Sequence, residues 1–94
     1  MELKKAYIVK SIAGRDGGDY FIIKEIVDER FILLVDGKGR RVEKPKLKKQ
    51  KHVLFVDQND TRTGHKIRTG EKITNAEVRR TLSDFKDMQQ GLDC

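Results

Sequence analysis

Three glycines in five residues, Gly14, Gly17 and Gly18, lie between two runs that read as strands, Ala6 to Ser11 and Tyr20 to Val27. Glycine takes positive φ without steric cost and lets another chain approach closely. Strand, glycine loop, strand predicts a small β-barrel that presents the Ile12 to Gly18 loop to a partner. Arg15 and Asp16 fall at the tip, where water or a phosphate can reach them. Gly14 or Gly18 is expected in the left-handed region.

The first strand, within Lys5 to Ile12, alternates loosely. Tyr7 and Val9 share one face, and Ile8, Lys10 and Ile12 the other, as in a half-buried strand. Tyr20 to Val27 is rich in aromatic and β-branched residues, which favour strand. Asp28-Glu29 is a polar turn, and the nearly all-apolar Arg30 to Val35 reads as a central strand. Asp36-Gly37-Lys38-Gly39 supplies a hairpin turn. Arg40 to Lys44 should then return as a strand with Val42 inward. Pro45 has no N–H to donate and should break the ladder, leaving Lys46 to Lys51 as a loop before a last strand, His52 to Val56. Phe21, Phe31 and Phe55 are expected in the core. Short strands with turns at about 8–12-residue spacing predict a mainly β fold, best matched by an SH3-like barrel over residues 1–57.

Residues 58–94 differ. Up to Lys72 the chain is polar, with Ile67 the one large apolar residue. It carries a near-duplicate, Arg62-Thr63-Gly64-His65-Lys66-Ile67 then Arg68-Thr69-Gly70-Glu71-Lys72-Ile73. Two copies do not make a solenoid. The stretch reads as a solvated linker, or more sharply as an arm whose Arg62 and Arg68 touch the barrel's partner. A helix follows, at about 74–90. Thr74 and Glu77 form a capping box, and Ile73 and Val78 a hydrophobic staple. Val78, Leu82, Phe85 and Met88 make a narrow apolar stripe, and Gly91 is the expected stop. The stripe should pack on the barrel or dock on another protein.

The net charge of +6 is confined to the barrel half: residues 1–56 hold 14 Lys and Arg against 8 Asp and Glu, and residues 57–94 hold 7 of each. A basic domain attracts polyanions, of which nucleic acid is the commonest in a cell. Lys38, Arg40, Arg41, Lys44, Lys46, Lys48, Lys49 and Lys51 put eight positive charges into fourteen residues against Glu43 alone. Lysines protect sheet edges against aggregation, but this density beside a glycine loop points to phosphate contact. Tyr20 could stack on an unpaired base or be a half-buried barrel tyrosine.

Catalysis is not expected. His52 and His65 are the only histidines, and Cys94 is the only cysteine. No Cys/His cluster has zinc spacing, and neither Gly-x-Ser-x-Gly nor a Gly-Lys-Ser/Thr phosphate loop occurs. No metal or cofactor is expected. A single cysteine forms no intrachain disulfide and suggests a reducing, cytoplasmic setting. No apolar run approaches the roughly 18 residues of a membrane span, and no signal-peptide core follows Met1 to Lys5.

Ile8-Val9-Lys10-Ser11-Ile12-Ala13-Gly14-Arg15-Asp16-Gly17-Gly18-Asp19-Tyr20-Phe21-Ile22-Ile23 resembles a KOW motif. Its continuation through Asp36-Gly37-Lys38, Arg40-Arg41, Glu43-Lys44-Pro45-Lys46 and Lys51-His52 resembles the small KOW-domain RNA-binding proteins, which are similar to KOW ribosomal proteins of the large subunit. The likeness covers residues 5–56 and departs from many KOW motifs at Tyr7 and Gly17. It implies an SH3-like barrel, RNA as ligand (ribosomal RNA above all) and association with ribosomes, in translation beside ribosomal proteins, or with another RNA machine. Gly14, Arg15, Asp16 and Gly18 match the RNA-facing part of the motif. With Arg40, Arg41, Lys46, Lys48, Lys49 and Lys51 they make up the expected RNA-binding set. The competing expectation is a protein-interaction module using the barrel or the helix.

Overall fold

The computed structural model describes residues 2–92, with side chains as far as Gln89; Cys94 lies outside the described residues. Five strands form one antiparallel sheet: β1 (Ile8–Ser11), β2 (Tyr20–Ile26), β3 (Phe31–Val35), β4 (Lys46–Lys49) and β5 (Val53–Asp57), in the order β4-β3-β2-β1-β5. A 3-10 turn at Gln50–His52 joins β4 to β5. Among the described residues no ladder runs between those two, so the sheet is curled but open where a closed barrel was expected. Irregularities between Ile8 and Val9 and between Ile23 and Glu25 break the register, and such bulges add the twist a small sheet needs to curl.

Apolar side chains fill both faces. Tyr7, Val9, Phe21, Ile23, Ile32, Leu34 and Val53 form the core inside the curl. Ala6, Ile8, Ile22 and Val35 point the other way and meet Ile67, Ile73, Val78 and Leu82. Strands buried on both sides read as continuous apolar runs rather than alternation, which explains Phe21-Ile22-Ile23. It also corrects β1, whose residues Ile8 and Val9 are both buried. Of the phenylalanines expected inside, Phe21 is buried, whereas Phe31 and Phe55 are half-buried.

The outer cover comes from α1 (Arg62–Arg68) and α2 (Asn75–Leu92). The supposed linker is therefore built structure. Thr61 caps α1 by accepting from the Gly64 N–H at 3.0 Å. Buried Asn59 donates through Nδ2 to the Ala6 carbonyl at 2.7 Å and accepts from the Thr61 hydroxyl at 2.6 Å. Only the first copy of the near-duplicate is helical, and Arg68 donates to the Gln58 and Asn59 carbonyls rather than pointing outward as an arm. The second helix begins as its capping box predicts: the Thr74 N–H donates to Glu77 at 3.0 Å, and the Glu77 N–H to the Thr74 hydroxyl at 3.1 Å. Lys66 binds the same carboxylate at 2.7 Å, tying α1 to α2. The hydrogen bond from Lys66, then that from the Thr74 backbone, holds the Glu77 carboxyl below its usual range. Val78 and Leu82 are buried on the sheet and Phe85 packs beside them, while Met88 is 70% exposed. Burial at about 1.5–3 kcal/mol per large apolar side chain fixes a helix that would be marginal alone. It continues through Gly91, so that glycine is not its stop. Among the described residues no helix is long and apolar enough to cross a membrane.

Candidate functional site

The glycine loop is a folded object. The Gly18 N–H donates to the Ser11 carbonyl at 2.7 Å, and the Ser11 N–H to the Asp19 carbonyl at 2.9 Å. Gly14 has φ 84° and Gly18 φ 94°, so the expectation for this pair holds at both positions. A Cβ on Gly18 would have nothing within 4 Å; the constraint there is backbone angle alone. Gly18→Val is accordingly expected to cost about 1–2 kcal/mol through strain, read as a lower urea midpoint with unchanged m. Full wild-type stability would sink that account.

Asp16 is not an open tip residue. Lys48 and Asp16 are only 8% and 12% exposed and lie 2.8 Å apart. The Lys48 ammonium also donates to the Ala13 carbonyl at 2.7 Å, and the Ser11 hydroxyl donates to Asp16 Oδ1 at 2.9 Å. Asp16 Oδ2 is buried with no hydrogen-bond partner among the described residues. Burial pushes this carboxyl up, but hydrogen bonds from Lys48 and Ser11 and the charges of Lys48 and Lys46 together hold it below its ordinary value. The pair staples the glycine loop to β4. Lys48 and Asp16 therefore leave the set of groups free to meet an RNA phosphate, and Lys48 is a support of the loop instead.

Two further corrections concern the basic segment. Arg41 to Lys44 is a turn, and the strand lies at Lys46–Lys49, where a loop was expected. Pro45 stands just before that strand, a position where its missing N–H is tolerated. Leu47 faces out, 54% exposed, while Lys48 points in. This inverted pattern hid the strand from hydrophobic periodicity.

Arg15 remains exposed at the loop tip, and half-buried Lys46 stands on β4 close enough to bias Asp16. Arg40 and Arg41 are exposed on a different support. Arg79 of α2 donates to the Gly37 carbonyl at 2.6 Å, and Asn75 accepts from the Val42 N–H and donates to Glu43. The Asn75 hydrogen bond, chiefly, lowers the Glu43 carboxyl, which also lies 3.5 Å from Arg41. At the far end of β4, Lys49 and Lys51 are exposed and join Arg30, a residue the sequence reading passed over. The ladder pairs Phe31 with Lys49. Glu29, Arg30, Phe31, Lys49, Gln50 and Lys51 line a pocket of about 460 Å³. Among the described residues, none of Arg15, Arg30, Arg40, Lys46, Lys49 or Lys51 is ion-paired with a carboxylate.

No family model and no curated protein matches this chain. The site is thus read from its own chemistry, which is cationic and set on a rigid frame. Tyr20 takes its quieter role: it meets Phe85 edge-on at 5.8 Å, with Lys10 and Lys86 over its ring.

Proposed function

We propose that this chain is a non-enzymatic RNA-binding module of the KOW type, an SH3-like barrel acting on ribosomal RNA in the cytoplasm. The observation that carries the reading is the density of cations on and beside β4 and the glycine loop: Arg15, Arg30, Arg40, Lys46, Lys49 and Lys51 have no carboxylate ion pair among the described residues and lie on the half of the chain that holds the whole net charge. Free cations on a fixed frame neutralise phosphates and release counterions, which drives association. The five-stranded antiparallel sheet and its preformed glycine loop support the reading as a small mainly β module, although the sheet is open between β4 and β5.

Binding of a structured RNA should weaken with salt, log K falling against log salt with a slope of roughly −3 to −5 for about four to six neutralised phosphates. The combined replacement Arg15→Glu, Arg40→Glu, Lys49→Glu and Lys51→Glu touches exposed side chains only. It should flatten the slope by about one unit per lost contact and leave the melting temperature close to wild type. Little sequence preference is expected, since phosphates carry no direct base information. An unchanged affinity and slope would move the site elsewhere on the chain. No RNA binding by the wild type at low salt would hand the case to protein interaction.

A further inference from the structure

The pocket at the Arg30 end of the sheet sets an aromatic residue, Phe31, beside the exposed cations of β4 and its flanking turn. Phe31 is half-buried in β3, with Arg30, Lys49 and Lys51 around it and Glu29 as the one acidic group. The frame is rigid. Asp28 Oδ1 accepts from the Arg30 and Phe31 N–H groups at 2.8 and 2.9 Å. The Gln50 N–H donates to the Arg30 carbonyl at 2.7 Å, and the Gln50 side chain to the Asp28 carbonyl at 2.8 Å. The β2–β3 turn and the 3-10 turn are thereby clamped together, and the pocket between them is built before any ligand arrives. Its volume, about 460 Å³, falls in the range of small-ligand sites, ~300–1,000 Å³.

A pocket lined by one aromatic residue and three cations suits a ligand with a flat unsaturated face and a negative charge a few bonds away. A nucleotide has that chemistry. Bases inside a duplex are covered by their neighbours, whereas unpaired bases can be splayed out onto an aromatic side chain. We propose that the Phe31 pocket binds one unpaired RNA nucleotide, the base over the Phe31 ring and the flanking phosphates against Arg30, Lys49 and Lys51. This rests on the RNA reading above and deepens it: phosphate contacts elsewhere hold the RNA, and this pocket selects single-stranded positions within it.

The test compares a fluorescein-labelled single-stranded RNA with a blunt RNA duplex, by anisotropy at one low salt concentration. Phe31→Leu keeps an apolar side chain and removes the ring without altering charge. It should weaken single-strand binding roughly tenfold, leave duplex affinity within about twofold, and leave the salt slope unchanged, because no phosphate contact is lost. The chain has no tryptophan, so Phe31→Trp places a lone reporter in the pocket lining. Its emission should be quenched by the single strand and not by the duplex. This second variant keeps an aromatic ring, so the proposal stays testable if Phe31→Leu proves too unstable to assay. Steeply salt-dependent wild-type binding, with equal losses on both RNAs in Phe31→Leu or no quenching in Phe31→Trp, would overturn the pocket and leave the RNA reading standing. A wild type that binds neither RNA would overturn both.

Discussion

Lys48→Ala is expected to lower stability by about 3 kcal/mol, because removing one partner strands the other as a buried charge. Asp16 would keep its Ser11 hydrogen bond at 2.9 Å and lose both the ammonium at 2.8 Å and its compensation for burial. The double variant Lys48→Met with Asp16→Asn should recover much of the loss, since apolar or neutral replacements of a buried pair often cost little. The pH dependence follows from Asp16's lowered folded pKa. Its contribution is fully present above the ordinary value of 3.8 and is lost as pH falls through the lower folded value. Urea melts at about pH 7 and about pH 3 should therefore show the gap between wild type and Lys48→Ala narrowing in acid. An equal gap at both would mean that Asp16 is not the group left stranded.

That pair also marks the limit of what could be read from residues alone. Strands β1, β2, β3 and β5 announced themselves by apolar and β-branched side chains, and α2 by its capping box and stripe. The glycine loop was legible because only glycine takes φ near +90° freely at Gly14 and Gly18. Strand β4 was not, because Lys46-Leu47-Lys48-Lys49 turns its leucine out and a lysine in. An inward charge defeats periodicity and can be understood only once its distant partner, Asp16, is placed beside it. Helix α1 was missed for a related reason: it is seven residues long with Ile67 as its only large apolar side chain, and although its Thr61 cap is local, its clamping through Asn59 to Ala6 is a tertiary fact. For the site, charge density located the segment, but Arg30 and Phe31 join Lys49 only through cross-strand register.

Leu82→Asp should be the most damaging single change considered, costing on the order of 4 kcal/mol or more. Leu82 is 4% exposed among Ala6, Ile8, Ile22, Val35 and Val78, so a carboxylate there would be set against apolar neighbours. Against a typical domain stability of about 5–15 kcal/mol, the variant should melt far below wild type or be unfolded at room temperature. Leu82→Ala, which leaves a cavity without a buried charge, should cost about 2–5 kcal/mol. Met88→Asp at the 70% exposed end of the same stripe should change stability by less than about 0.5 kcal/mol. Indistinguishable melting curves for Leu82→Asp and Met88→Asp would refute the packing of α2 on the sheet.

The outer core has a consequence for how the chain comes into being. Its sheet-side residues, Ala6 to Val35, are synthesised before the residues that cover them, Ile67, Ile73, Val78 and Leu82. Until those residues follow, the outward face of β1, β2 and β3 is apolar and uncovered. A nascent chain in that state must wait for residues 67–82, which leaves it exposed to aggregation and within reach of chaperones. Slowed elongation before α2 would lengthen that interval, so the yield of soluble protein should depend on how quickly residues 73–82 follow the sheet out of the ribosome.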